Sequence, residues 1–186
     1  TMSRIIDYTD RATCVLFGDG AGAMIVEATD DPDDGLRQCF HEIDGSGGEH
    51  LKMPAGGSKL PASHQTVDER LHYVKQDGQQ VFRFAVKRMY DVAQEVLRRE
   101  GLTPADLKLL IPHQANLRII EATAKRLDMS MDQVIVTVDK HGNTSSGSVP
   151  LALDTAIRSG RVERGQLLLL EAFGGGFTWG SALLRW

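Results

Sequence analysis

The 186-residue sequence is short of several things, and each shortage excludes a class of protein. It has two cysteines, Cys14 and Cys39, too few for a disulfide scaffold and in keeping with a reducing compartment. No apolar run approaches the roughly 18 residues that a bilayer span needs. Thr1 to Arg11 is polar and charged, without the apolar stretch of a secretory signal, so a cytoplasmic setting is expected. Positive charge does not predominate: 21 Lys+Arg stand against 25 Asp+Glu, a net charge of −4. That argues against a nucleic-acid binder held mainly by charge. With 41% hydrophobic and 25% charged residues, the composition is that of a globular domain rather than a disordered chain. What is plentiful is glycine, 19 residues, which points to tight turns and close backbone approaches. The length suits one domain or two small ones. Thr1 is not an initiator residue, and the chain reads as part of a longer protein.

Along the chain, Thr13–Phe17 and Ala23–Val26 are apolar runs of strand length separated by Gly18-Asp-Gly-Ala-Gly22, a pattern that predicts a hairpin. Leu36–Ile43 reads as a further strand, and Gly45–Gln65 as a long irregular loop. The strongest helix follows: Phe82, Ala85, Val86, Met89, Ala93, Val96 and Leu97 fall at helical spacing, with charged residues opposite. Gly101 suits the position just past its end. Thr103-Pro-Ala-Asp106 opens a short helix. Leu107–Ile111 reads as a buried strand ending at Pro112. Asn116–Leu127 and Val149–Arg158 read as helices, and Val134–Val138, Leu167–Leu170 and Thr178–Trp186 as strands. Hairpin, alternating helices and strands, then hairpin make an α/β protein with a mixed sheet.

Candidate chemistry is uneven. Gly18-Asp-Gly-Ala-Gly-Ala23 formally fits a relaxed dinucleotide fingerprint, but a strand pattern follows where that motif needs a helix, so a turn is the better reading. Cys14, within an apolar run, reads as a buried inert thiol; Cys39 has no activating neighbours. His41, His50, His64 and His72 lack metal-ligand spacing. His113 stands apart: it ends an apolar strand and precedes a helix, where open α/β sheets place their sites. Asn143 occupies an equivalent junction, and the two together are neutral donors able to converge on one point. Phe173-Gly-Gly-Gly-Phe177 is either a wide hairpin turn or a source of bare N–H groups for an oxyanion. Arg118, Lys125 and Arg126 form a basic stripe on one helix, either a solvated face or a docking surface, with Glu121 placed to pair with Lys125.

Four segments carry a resemblance. Ile111-Pro-His-Gln-Ala-Asn-Leu-Arg118, His141-Gly-Asn-Thr-Ser145, Gly18-Asp-Gly-Ala-Gly22 and Glu171-Ala-Phe-Gly-Gly-Gly-Phe-Thr-Trp-Gly180 resemble β-ketoacyl-acyl-carrier-protein synthase III, the initiating condensing enzyme of type II fatty-acid synthesis, in the family's order. The fold this implies is one half of the thiolase-like architecture, a mixed five-stranded α/β sheet with helices packed on it. Residues 1–186 would be the carboxy-terminal half-domain, without the amino-terminal half that bears the family's nucleophilic cysteine; neither Cys14 nor Cys39 stands in that context. Thiolases resemble the ending but carry a second catalytic cysteine where Ala172 stands. Elongating synthases use a second histidine where Asn143 stands.

The activity implied is condensation of acetyl-CoA or another short acyl-CoA with malonyl-ACP, without cofactor or metal, in a homodimer that works with acyl carrier protein and touches neither nucleic acid nor membrane. His113 and Asn143 would be the His and Asn of a Cys–His–Asn triad. Gly175 would supply an oxyanion N–H, and Phe173 an aromatic beside the cysteine. Asn116 and Gly78 would lie near the pantetheine arm of coenzyme A, with Gln79 standing where many family members carry Asn. The carrier protein would dock on Gln114, Ala115, Asn116, Leu117, Arg118, Lys125 and Arg126. The isolated chain is expected to be inactive; the alternative is a carrier-protein-docking module without chemistry of its own.

Overall fold

The computed structural model describes residues 1–186 and orders them around one long helix. Helices α1 (Arg11–Cys14) and α2 (His64–Asp68) are single turns; α3 (Gly78–Arg99), α4 (Leu117–Arg126) and α6 (Ser148–Arg158) are the packing helices, with a short α5 (Val138–His141) between the last two. Strands are β1 (Gly35–Ile43), β2 (Leu51–Lys52), β3 (Lys75–Gln76), β4 (Leu109–Pro112), β5 (Leu167–Gly174) and β6 (Thr178–Arg185). The main sheet runs β1-β6-β5-β4, and β2-β3 form a separate antiparallel pair. β4 and β5 are parallel and the other main-sheet pairs antiparallel, so the sheet is mixed, with four strands rather than five.

Helix α3 forms where the periodicity places it. Asp77 caps it by accepting the Gln80 N–H at 3.2 Å, and Gly101 follows its end at φ +67°, a conformation that glycine adopts without steric cost. Its buried stripe includes Val81, Ala85, Met89, Val92, Val96 and Leu97. Strand alternation then sorts the core into two faces. Leu110, Leu169 and Leu183 pack with α3 and α4, whereas Leu109, Ile111 and Leu168 pack with Ala152, Leu153 and Ala156 of α6. The sheet is thus a middle layer, and the β4 and β5 termini open on one side between helices.

Three expected strands do not form, for local reasons. At Thr13 the Asp10 side chain captures the chain instead: it accepts the Ala12 N–H at 3.1 Å and the Thr13 hydroxyl at 2.7 Å, turning residues 11–14 into α1. Cys14 is therefore at a helix end and half-buried, not in a strand. Ala23–Val26 runs without a ladder partner, and Met24, Ile25 and Val26 are exposed, Ile25 to 98%. No hairpin joins these runs; Phe17 makes a single bridge to Asn143. Val134–Val138 makes one bridge, Leu110 to Val134, because the Thr137 and Val138 N–H groups are taken by the side chain of Gln114, at 2.7 and 3.1 Å. The Gly45–Gln65 segment is more ordered than a loop, holding a 3₁₀ turn at Gly45–His50, β2 and the start of α2. Pro104–Asp106 is likewise a 3₁₀ turn.

The start of the chain is tied down. Ile6 is buried, the Val74 N–H donates to the Ile5 carbonyl at 2.9 Å, and buried Asp7 accepts from the Arg70 guanidinium. That guanidinium holds the Asp7 carboxyl well below the usual carboxylate range. No helix is long and apolar enough to cross a membrane.

Candidate active site

His113 follows β4 directly. Its N–H extends the ladder by donating to the Glu171 carbonyl of β5 at 2.7 Å, which fixes the backbone from which the ring projects. The ring is 8% exposed, and burial lowers its pKa to about 4. Desolvation penalises the cation, so the imidazole is neutral at physiological pH. Its Nδ1 lies 2.6 Å from the Ser148 hydroxyl, at the first residue of α6.

Asn143 arrives from a different direction. The loop carrying it turns at Gly142 (φ +65°) and Ser145 (φ +56°), and the Asn143 Oδ1 accepts the Ser145 N–H at 3.0 Å. With the oxygen engaged on backbone, the Nδ2 amide is the group left to donate. The glycine motif holds this loop. Gly18 donates its N–H to the Asn143 carbonyl at 2.9 Å, and Asn143 donates its own to the Leu16 carbonyl at 2.9 Å. A Cβ on Gly18 would lie 2.3 Å from the His141 carbonyl oxygen; one on Gly20, 2.7 Å from Thr144 Cγ2; one on Gly22, 2.4 Å from Pro150 Cγ. Gly18-Asp-Gly-Ala-Gly22 is therefore neither a hairpin turn nor a phosphate loop. It is a bare strip of backbone laid against the loop and the first turn of α6.

Gln114 corrects its expected place on a docking surface. It is 1% exposed, and its amide is spent internally. Nε2 donates to the Pro112 and Ile135 carbonyls, at 2.7 and 3.1 Å, while Oε1 accepts the two N–H groups of Thr137 and Val138. It braces the end of β4 to the segment that leads to Asn143, and so links the two candidate residues. Asn116 caps α4, its Oδ1 accepting the Ile119 N–H at 3.0 Å, which again turns the amide NH₂ outward.

These pieces meet in one cavity of about 620 Å³, whose walls include His113, Asn143, Ala115, Asn116, Phe173 and Gly175. Most of its lining residues are apolar, among them Val81, Met89 and Ile119 from α3 and α4, which suits a ligand with an apolar chain and a few polar fixing points. Phe173 stacks within an aromatic group, its ring 4.9 Å from Phe177 and 6.4 Å from Trp179. Gly175 follows β5 where the chain passes β2; a Cβ there would lie 3.1 Å from the Leu51 carbonyl oxygen. Gly78, at the first turn of α3, does not line the cavity, although its neighbours Gln76 and Val81 do. His41, exposed on β1, also lines it. No three His, Cys, Asp or Glu side chains gather as metal ligands.

Leu117, Arg118, Lys125 and Arg126 do not line the cavity and are exposed on α4. The expected Glu121–Lys125 pair does not form, and none of the three cations has an ion-pair partner: the salt bridges lie elsewhere, as in Lys87–Asp91 and Arg98–Glu95. Two buried residues had no signal in the sequence. Ser148 looked like a loop residue before Pro150. Glu171, inside an otherwise apolar strand, is fully buried with neither carboxyl oxygen hydrogen-bonded, and burial pushes its carboxyl pKa up to about 8.

Comparison with known proteins places this arrangement. Residues 97–186 match the family model described as 3-oxoacyl-[acyl-carrier-protein] synthase III C terminal, and residues 1–45 match the model described as 3-oxoacyl-[acyl-carrier-protein] synthase III. Beta-ketoacyl-[acyl-carrier-protein] synthase III of Solibacter usitatus is 56% identical over 188 residues, covering 100% of this chain and 57% of the relative. The Xanthomonas campestris protein of the same name is 60% identical over 186 residues, 56% of its length. The crystal structure of 3-oxoacyl-[acyl-carrier-protein] synthase III from Aquifex aeolicus superposes with a TM-score of 0.87 at 41% identity, over 100% of this chain and 55% of that one. The chain thus spans just over half the length of the curated relatives it matches. Its fold is a thiolase-like α/β half-domain, and the chain belongs to the 3-oxoacyl-[acyl-carrier-protein] synthase III family as its carboxy-terminal portion.

Proposed function

We propose that this chain is the carboxy-terminal catalytic half of an enzyme that condenses acetyl-CoA, or another short acyl-CoA, with malonyl-ACP. The observation that carries the reading is the convergence of His113, Asn143, Phe173 and Gly175, from three separate segments, on one largely apolar cavity. Loss of carbon dioxide from the malonyl thioester leaves an enolate, whose carbon forms a bond to the acyl group while the acyl–sulfur bond breaks. Negative charge develops on the malonyl thioester oxygen. A neutral His113 and the Asn143 amide donate to that oxygen, and one such donor is typically worth about 3–4 kcal/mol in the transition state. The Gly175 N–H serves the tetrahedral oxyanion of acyl transfer, paired with the nucleophilic cysteine of the amino-terminal half. Phe173 shields that cysteine from water. The Asn116 amide fixes the pantetheine arm.

The free cations of α4 support docking of an acidic carrier protein beside the cavity: Arg118, Lys125 and Arg126 have no intramolecular partner to give up. Leu117, Ala115 and Asn116 stand between them and the cavity. The enzyme acts as a homodimer, and this half alone is inactive because its thiols, on α1 and β1, are not the acyl acceptor.

A condensation assay with acetyl-CoA and malonyl-ACP tests this, run on the 186-residue chain beside a longer protein that includes the expected cysteine. Activity confined to the longer protein is the expected result. Activity of the 186-residue chain alone would overturn the assignment of the nucleophile to another half.

A further inference from the structure

The contact between Ser148 and His113 occupies one ring nitrogen, Nδ1, and leaves Nε2 as the nitrogen free to meet a ligand. Ser148 is 2% exposed. Its Oγ lies 2.6 Å from His113 Nδ1, and it accepts the Gln114 N–H at 3.1 Å. These are the only hydrogen-bond contacts of that hydroxyl. A serine hydroxyl has one hydrogen and two lone pairs. One lone pair receives Gln114. The hydrogen then has a single acceptor within reach, Nδ1. If Nδ1 carried the ring proton, both groups would point hydrogens at each other, or the hydroxyl hydrogen would be buried with no acceptor, a state disfavoured by about tenfold or more. Ser148 also begins an 11-residue helix, whose positive end opposes a second proton on the ring.

We propose that Ser148 is a positioning residue that holds the His113 proton on Nε2, so that the ring presents an N–H donor, and not a lone pair, to the cavity. This rests on the reading of His113 as an oxyanion donor. A lone pair facing the enolate oxygen would repel it; the Nε2–H would bind it. Ser148 touches no substrate atom in this account. It acts through the ring, and the Gln114 backbone N–H keeps the hydroxyl turned the right way.

The test uses the full-length enzyme labelled with ¹⁵N at histidine only, with His113→Gln identifying the His113 signals in solid-state ¹⁵N NMR. The expected spectrum at pH 7 shows a protonated Nε2 and a bare Nδ1. Ser148→Ala should bring the Nδ1–H form into view and lower kcat for condensation about tenfold, with KM for the acyl-CoA unchanged. Ser148→Thr, which keeps the hydroxyl, should restore the wild-type tautomer. A wild-type spectrum with Nδ1–H, or an Ala variant with the wild-type tautomer, would overturn the proposal. The wild-type spectrum decides the matter even if the Ala variant fails to fold. A correct tautomer in an enzyme without condensing activity would instead refute the oxyanion reading and leave Ser148's role standing.

Discussion

Replacing Glu171 by Gln should remove most of the protein's loss of stability above neutral pH. The carboxyl is fully buried, and neither of its oxygens has a hydrogen-bond partner. Ser181, its neighbour across the β5–β6 ladder, also leaves its hydroxyl unpartnered. Burial raises the Glu171 pKa from 4.5 to about 8, so the native state keeps a proton that the unfolded chain gives up. The stabilisation is complete below pH 4.5 and is lost as pH rises through 8. At about 1.4 kcal/mol per pH unit, the loss between pH 5 and pH 8 is at most about 4 kcal/mol. His113 works in the opposite sense. Its folded pKa is about 4 against an ordinary 6.5, so its contribution is complete above 6.5 and is lost as pH falls towards 4. Between 4.5 and 6.5 the two slopes oppose, and only above 6.5 does the Glu171 slope stand alone. Urea unfolding of wild type and Glu171→Gln across pH 5 to 8.5 reads this directly. The gap between them should shift by several kcal/mol in favour of the variant as pH rises. Parallel curves would refute the buried, protonated carboxyl.

Further expectations follow from the braces around the site. Gly18→Ala should cost about 1–3 kcal/mol by overpacking and lower activity of the full-length enzyme, because the new methyl meets the His141 carbonyl beside Asn143; Gly45→Ala, with nothing within 4 Å, is the control, and equal melting temperatures for the two would contradict the account. Gln114→Ala leaves two carbonyls and two N–H groups without their partner, at a cost of about 3 kcal/mol or more; faster hydrogen exchange at Thr137 and Val138 is the readout. Arg118→Glu should weaken carrier-protein binding by about tenfold at low salt and less at high salt, and an unchanged affinity at low salt would remove α4 from the docking surface.

Much of this architecture was legible because its signals are local and redundant. The α3 stripe repeats over 22 residues, enough turns that no other period fits. Leu167–Leu170 is apolar on both faces and lies inside the sheet, covered on both sides. His113 stood out because it sits where a strand gives way to a helix; the equivalent junction expected at Asn143 is instead a loop that leads from α5 to α6. What was not legible depends on partners distant in sequence. Thr13–Phe17 and Ala23–Val26 have strand composition, but pairing needs a neighbour, and a capping Asp10 or a strip of glycine contacts decides otherwise. Val134–Val138 lost its ladder to one glutamine side chain. Gln114 beside His113 reads as a surface polar residue, since nothing local says that its amide will meet residues 135–138. Ser148 reads as a loop residue for the same reason: its actual partner is 35 positions away.

The central claim is that His113 and Asn143 stabilise the enolate oxygen. It is tested most directly by malonyl-ACP decarboxylation in the full-length enzyme bearing His113→Ala or Asn143→Ala. Each variant is expected to lose about 10²–10³-fold in decarboxylation while still transferring an acetyl group from acetyl-CoA to the cysteine. Decarboxylation at the wild-type rate in either variant would contradict the account.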